Sequence, residues 1–148
     1  MADQYGIQFA IVPIDNEALK ATPVPAAAVL PVFGAPSVPN CRIEVVSIGI
    51  AGAILVVDAA NTVLVDLEYH DASADTDTNL LTGGAGDLGD LKAAGGLTAN
   101  EVLTLWHGVQ SLDPGDTIRA PLTITTPTTA GDGYYFVVGY RVKVWNGQ

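Results

Sequence analysis

Residues 134–145 read YYFVVGYRVKVW, the longest regular alternation in the chain. The even positions, Tyr134, Phe136, Val138, Tyr140, Val142 and Val144, form one apolar face, while the odd positions, with Gly139, Arg141 and Lys143, turn polar toward the end. Successive side chains of a strand leave opposite sides of the pleat, so a period of two with aromatic and β-branched residues predicts a strand with one buried face. The stretch reads as the C-terminal strand of a β-sandwich.

The rest of the chain must supply the partners of that strand. A length of 148 residues fits one domain, 1–148, and 49% hydrophobic content is enough for a single core, whereas two domains of half the size would each be marginal. Six Lys and Arg against sixteen Asp and Glu give a formal net charge of -10. Such a surface repels a phosphate backbone and anionic lipid, so neither nucleic acid nor membrane is expected as a partner. The opening Met1-Ala2-Asp3-Gln4 lacks a basic n-region, and no apolar run approaches the roughly 18 residues of a membrane span. No secretory signal or membrane anchor is expected. Cys41 is the single cysteine, which excludes an internal disulfide and a cysteine-cluster metal site.

In chain order, 4–14 alternates, with Tyr5, Ile7, Phe9 and Ile11 on one face and Gln4, Gly6 and Gln8 on the other, and Pro13 marks its end or a sheet edge. From 22 to 40 the texture changes to TPVPAAAVLPVFGAPSVPN. Each proline removes a donor and biases its predecessor toward extended geometry, so this segment is neither a central strand nor a helix interior. It reads as a Pro-rich extended arm or long ordered loop whose Val29, Leu30, Val32 and Phe33 need an apolar surface, on this subunit or a neighbour. Strands are predicted over 42–50, 53–57 and 62–70, the last alternating Val63, Val65, Leu67 and Tyr69 with polar positions. Residues 71–97, rich in Gly, Asp and Ala, read as a long acidic loop.

Over 98–108 two readings compete. Thr98 and Glu101 fit a capping box before a short helix, but VLTLW also suits a strand, which the β-rich surroundings favour. Asp113-Pro114-Gly115-Asp116 predicts a turn. After it Ile118, Ala120, Leu122 and Ile124 alternate with polar positions, and Pro121 points to an edge strand. Short strands separated by turns, with no βαβ rhythm, make the fold class all-β: an antiparallel sandwich of jelly-roll-like or immunoglobulin-like type.

Motifs with chemistry are sparse. Residues 84–89 match GxGxxG but have no strand before and no helix after, and a dinucleotide phosphate needs that helix N-terminus. Asp71, Asp75, Asp77, Asn79, Asp87 and Asp90 offer oxygen ligands, yet Leu80 stands where a calcium loop needs its turn glycine and Gly86 where it needs its bidentate acid. Asp66, Glu68 and His70 could share a strand face, but zinc usually takes three or four ligands with outer support, and alternating strands routinely hold such residues in water. No GxSxG, Walker A or HExxH pattern occurs. Neither catalytic residues, nor a cofactor, nor a bound metal is expected. Trp106 and Trp145 could stack on sugar rings; packing or a subunit interface is the ordinary role of both.

With the strand order laid out, the chain resembles the small β-sandwich decoration or cement proteins of bacteriophage heads. The likeness is carried by the Pro-rich arm, the 113–116 turn, and the ending Ala130-Gly131-Asp132-Gly133-Tyr134-Tyr135-Phe136 through Trp145-Asn146-Gly147. It implies a non-enzymatic virion protein, assembled in the host cytoplasm, that self-associates and binds the major capsid protein on the capsid surface. Candidate contact residues are Val29, Leu30, Val32 and Phe33 of the arm, and Tyr135, Arg141, Lys143 and Trp145 on the odd face of the terminal strand. The alternative is a carbohydrate- or receptor-binding module of a tail or surface appendage.

Overall fold

The computed structural model describes residues 2–3, 6–14, 28–38, 40–53, 63–81, 89–90, 98–124 and 132–144. These residues form strands β1 (Ala2–Asp3), β2 (Gln8–Pro13), β3 (Ala28–Gly34), β4 (Cys41–Ala51), β5 (Val63–Val65), β6 (Glu68–Asp71), β7 (Thr76–Asn79), β8 (Gly89–Asp90), β9 (Leu103–Leu112), β10 (Thr117–Ile124) and β11 (Tyr135–Val144), with no helix among them. In the first sheet β11 and β4 are central, β9 forms one edge, and β1 and β2 follow one another along the other edge. In the second sheet β10 lies between β3 on one side and β6 and β5 in succession on the other, with β7 and β8 outermost. All pairings are antiparallel. The expected all-β sandwich is present.

The alternation of 134–144 determines how β11 sits. Tyr134, Phe136 and Val138 are buried in the core together with Val45, Ile48 and Ile50 of β4. From the second sheet come Val65, Leu67, Ile118, Ala120 and Leu122. Phe33 of β3 meets Tyr140 of β11, ring centroids 4.9 Å apart and inclined at 40°, and so ties one sheet to the other.

Several expectations change. The arm expected over 22–40 is, from Ala28 to Gly34, an edge strand hydrogen-bonded to β10. Prolines are tolerated there because one side of an edge strand needs no donors; residues 22–27 and 39 lie outside the described part. Pro121, expected to mark an edge, lies instead in the central β10. It is accommodated where the neighbouring strand breaks: β6 pairs with 117–119, β5 with 122–124, and between them Asp66 N donates to Pro121 O at 2.9 Å. The single strand expected over 62–70 is therefore two, with the Asp66 carboxylate accepting from Leu67 N at 2.7 Å in the gap.

The acidic loop expected over 71–97 begins as a hairpin, β6 to β7, closed by Asp71, whose carboxylate accepts from Ser73 N, Ser73 Oγ and Ala74 N. Residues 82–88 and 91–97 of that loop, and 54–57 of the expected 53–57 strand, lie outside the described part. Leu103 to Leu112 is a strand, as the surroundings favoured, and Thr98 and Glu101 shape the turn before it through Glu101 N to Thr98 O at 3.1 Å. The 113–116 turn closes with Asp116 N donating to Asp113 O at 3.0 Å, and Gly115 takes the positive φ of 96° that its third position requires.

Candidate interaction faces

The two outer faces of the sandwich differ in chemistry. On the first sheet, strand register places Ile11, Val137, Gly49 and Thr104 in one row, and Phe9, Gly139, Ser47 and His107 in the next. Pro13, Tyr135 and Ala51 form a third. None of these residues is a carboxylate, Lys or Arg. The large apolar side chains on and beside these rows stand free: Ile7 is 49% exposed, Phe9 67%, Ile11 69%, Val102 51% and Val109 65%. Gly139 and Gly49 keep the middle flat, since a β-carbon at Gly139 would collide with Ser47 Oγ and one at Gly49 would meet Val102 Cγ1 at 2.6 Å. Toward one end of the sheet charge returns, where Arg141 lies opposite Glu44 and Lys143 Nζ is 2.8 Å from Glu44 Oε1.

The outer face of the second sheet is charged. His70 Nδ1 lies 2.9 Å from Asp77 Oδ1, Arg119 approaches the same carboxylate at 3.7 Å, and Asn79 donates to Asp66 Oδ2 at 3.1 Å. Glu68 sits among them, and partial burial, with Asp77 and Asp66 nearby, holds its carboxyl above the usual range despite Arg119. Asp71 lies lower than usual, chiefly because Ser73 donates to it. These contacts join β6, β7 and β10 across the second sheet. Asp66, Glu68 and His70 do not converge, and among the described residues no group of three His, Cys, Asp or Glu could hold a metal ion. Asp87 and most of the GxGxxG stretch lie outside the described part.

One buried carboxylate joins the turn between β9 and β10 to the second sheet. Asp116, 3% exposed, accepts from Tyr69 Oη at 2.7 Å, Asp113 N at 2.9 Å and Ala72 N at 3.0 Å, and so pins the 113–116 turn to the β6–β7 hairpin. All three donors belong to the scaffold. Asp116 is thus a structural anchor.

Seven of the eight sequence-derived contact residues are among the described residues, and these fall in two places. Val29 is 54% exposed, whereas Val32 is 2% exposed and part of the core, with Leu30 and Phe33 packed against it. Val29 and Phe33, with Val12, Pro31 and Ile118, line a groove of about 470 Å³ where β2 and β3 approach. Tyr135 and Arg141 lie on the outer face of the first sheet with Lys143, which Glu44 engages. Trp145 lies outside the described residues. Trp106 packs against the core, its ring so close to Gly108 that a β-carbon there would stand 2.6 Å from Cζ2.

Sequence reading missed the exposed stripe of β2. It set Ile7, Phe9 and Ile11 opposite Gly6 and Gln8, yet this apolar row is the exposed one, because Ala10 and Val12 further along the strand take the place against the core. No family model, curated protein or solved structure matches the chain.

Proposed function

We propose that this chain is a non-enzymatic structural protein of a phage particle, which decorates the assembled capsid and cements it by docking the outer face of its first sheet against the major capsid protein. The virion assignment rests on the resemblance of the sequence. The docking assignment is supported by one observation: in a protein of net charge -10, the outer face of β2, β11, β4 and β9 carries three successive rows without a carboxylate, Lys or Arg, and five large apolar side chains on and beside them are about half exposed or more.

Contiguous exposed apolar patches of a few hundred Å² mark interaction sites. Covering one contributes several kcal/mol at about 25 cal/mol per Å², before ordering costs. The opposite face, with Glu68, His70, Asp77 and Arg119, stays hydrated on the outside of the particle. Interfaces of this kind need roughly 1,000 Å² or more, an area of the size a sheet face offers.

The test is co-sedimentation of the purified protein with capsids of its own particle. The wild type is expected to sediment with them, and Val109→Lys, at a side chain already 65% exposed, is expected to fold normally and lose binding. Wild-type affinity in Val109→Lys removes the docking face, and a wild type that stays in the supernatant removes the virion role.

A further inference from the structure

We infer that a second copy of this chain pairs antiparallel along the free edge of β2, joining the first sheets of two subunits into one continuous sheet. This goes beyond the docking face: it concerns the edge of the sheet and leaves the face open.

The inference starts from the phase of the hydrogen bonds. Ile14 N donates to Tyr134 O at 2.9 Å, and the register runs without a shift from Pro13 opposite Tyr135 to Gln8 opposite Tyr140. Hydrogen-bonded pairs in an antiparallel ladder recur every second residue. Val12, Ala10 and Gln8 therefore spend their backbone groups on β11. The N–H and C=O of Phe9 and Ile11 point the other way, and no described strand lies on that side. The same two residues carry the most exposed large apolar side chains of the described residues, 67% and 69%.

Edge strands ordinarily carry a device that blocks such pairing: a charge, a proline, a bulge or extreme shortness. The other described edges have one. The pairing that holds β9 shifts register twice, β3 carries Pro31 and a register shift, β7 presents Asp77, and β1 and β8 are two residues long. Strand β2, QFAIVP, has no charge and no bulge, and its only proline closes its end.

A second copy fits this edge because the edge is complementary to itself. With a two-fold axis at Ala10, Phe9 of each copy faces Ile11 of the other, and each such pair can exchange both backbone hydrogen bonds. The N–H of Ile7 then reaches the C=O of Pro13, and the missing Pro13 N–H ends the ladder. Directly opposed residues share a face, so Phe9 and Ile11 side chains of the two copies meet on the uncharged side.

The experiment is sedimentation of the purified full chain, with amide hydrogen exchange read at single residues. The expected result is a dimer in which Phe9 and Ile11 amides are protected. In Ile11→Lys a monomer is expected, with those two positions exchanging freely while Ala10 and Val12 stay protected, which shows β2 still held by β11. A wild type that is monomeric throughout overturns the inference, leaving the edge to a foreign strand, as does an oligomer in which Phe9 and Ile11 exchange freely. The outcome is separable from capsid binding: a monomer that sediments with capsids defeats only the pairing, and a dimer that ignores them defeats only the docking face.

Discussion

The phenyl ring of Phe9 lies against Gly139 of the neighbouring strand, so that a β-carbon at position 139 would stand 3.2 Å from Phe9 Cε1 and collide with Ser47 Oγ on its other side. Three strands are thereby packed into one shallow surface. Gly139→Ala is expected to destabilise by about 1–3 kcal/mol, because Ser47 and Phe9 must both move and overpacking outweighs any gain in strand propensity. Denaturant unfolding measures it.

Strand β3 divides its apolar side chains between this subunit and the outside. Val32 is 2% exposed and Val29 54%. Val32→Ala is expected to cost about 2 kcal/mol through a cavity in the core, and Val29→Ala less than about 0.5 kcal/mol. Equal costs in thermal or denaturant unfolding would contradict the placement of β3 as an edge strand of the sandwich.

The sequence carried the sandwich where alternation had contrast. In β11 the residues Tyr134, Phe136 and Val138 face Gly139, Arg141 and Lys143 across the pleat, and the buried side was legible. In β2 it was not. Phe9 and Ile11 alternate with Ala10 and Val12, all apolar, so only the tertiary fold decides which pair faces water. Proline misled at position 121 because its cost depends on what lies opposite, here the gap at Asp66. The uncharged face was invisible for a further reason: its rows are assembled from four strands distant in the chain.

Asp116 and Tyr69 form a further test of the scaffold. Removing a buried carboxylate that serves three donors leaves them unpaired, so Asp116→Ala is expected to cost about 3 kcal/mol or more. Burial, reinforced by the Asp116 carboxylate, holds the Tyr69 phenol protonated well above its ordinary range. A raised value adds stability that is complete below the unfolded phenol's value of about 10 and is lost as pH climbs through the folded one. Unfolding midpoints across alkaline pH are expected to fall less steeply in Tyr69→Phe than in the wild type.

Glu68 gives the acid-side counterpart. Its carboxyl is raised by partial burial and by Asp77 and Asp66, so its ionisation works against folding: the associated stability is present at low pH and lost as pH rises through the folded value. Glu68→Gln is expected to be slightly more stable than wild type at neutral pH, by less than about 1 kcal/mol. The advantage should vanish near about pH 4, where the unfolded carboxyl is also protonated. A stability gap independent of pH would contradict the assignment.

The central claim is that the uncharged outer face of β2, β11, β4 and β9 is what meets the shell, and its most direct test is a cryo-EM reconstruction of capsids saturated with this protein. The expected density has that face, with Phe9, Val137 and Val109, against the major capsid protein, while the β6–β7 hairpin with His70 and Asp77 points to solvent. A reconstruction in which the hairpin contacts the shell and Phe9 and Val109 remain in water would contradict it.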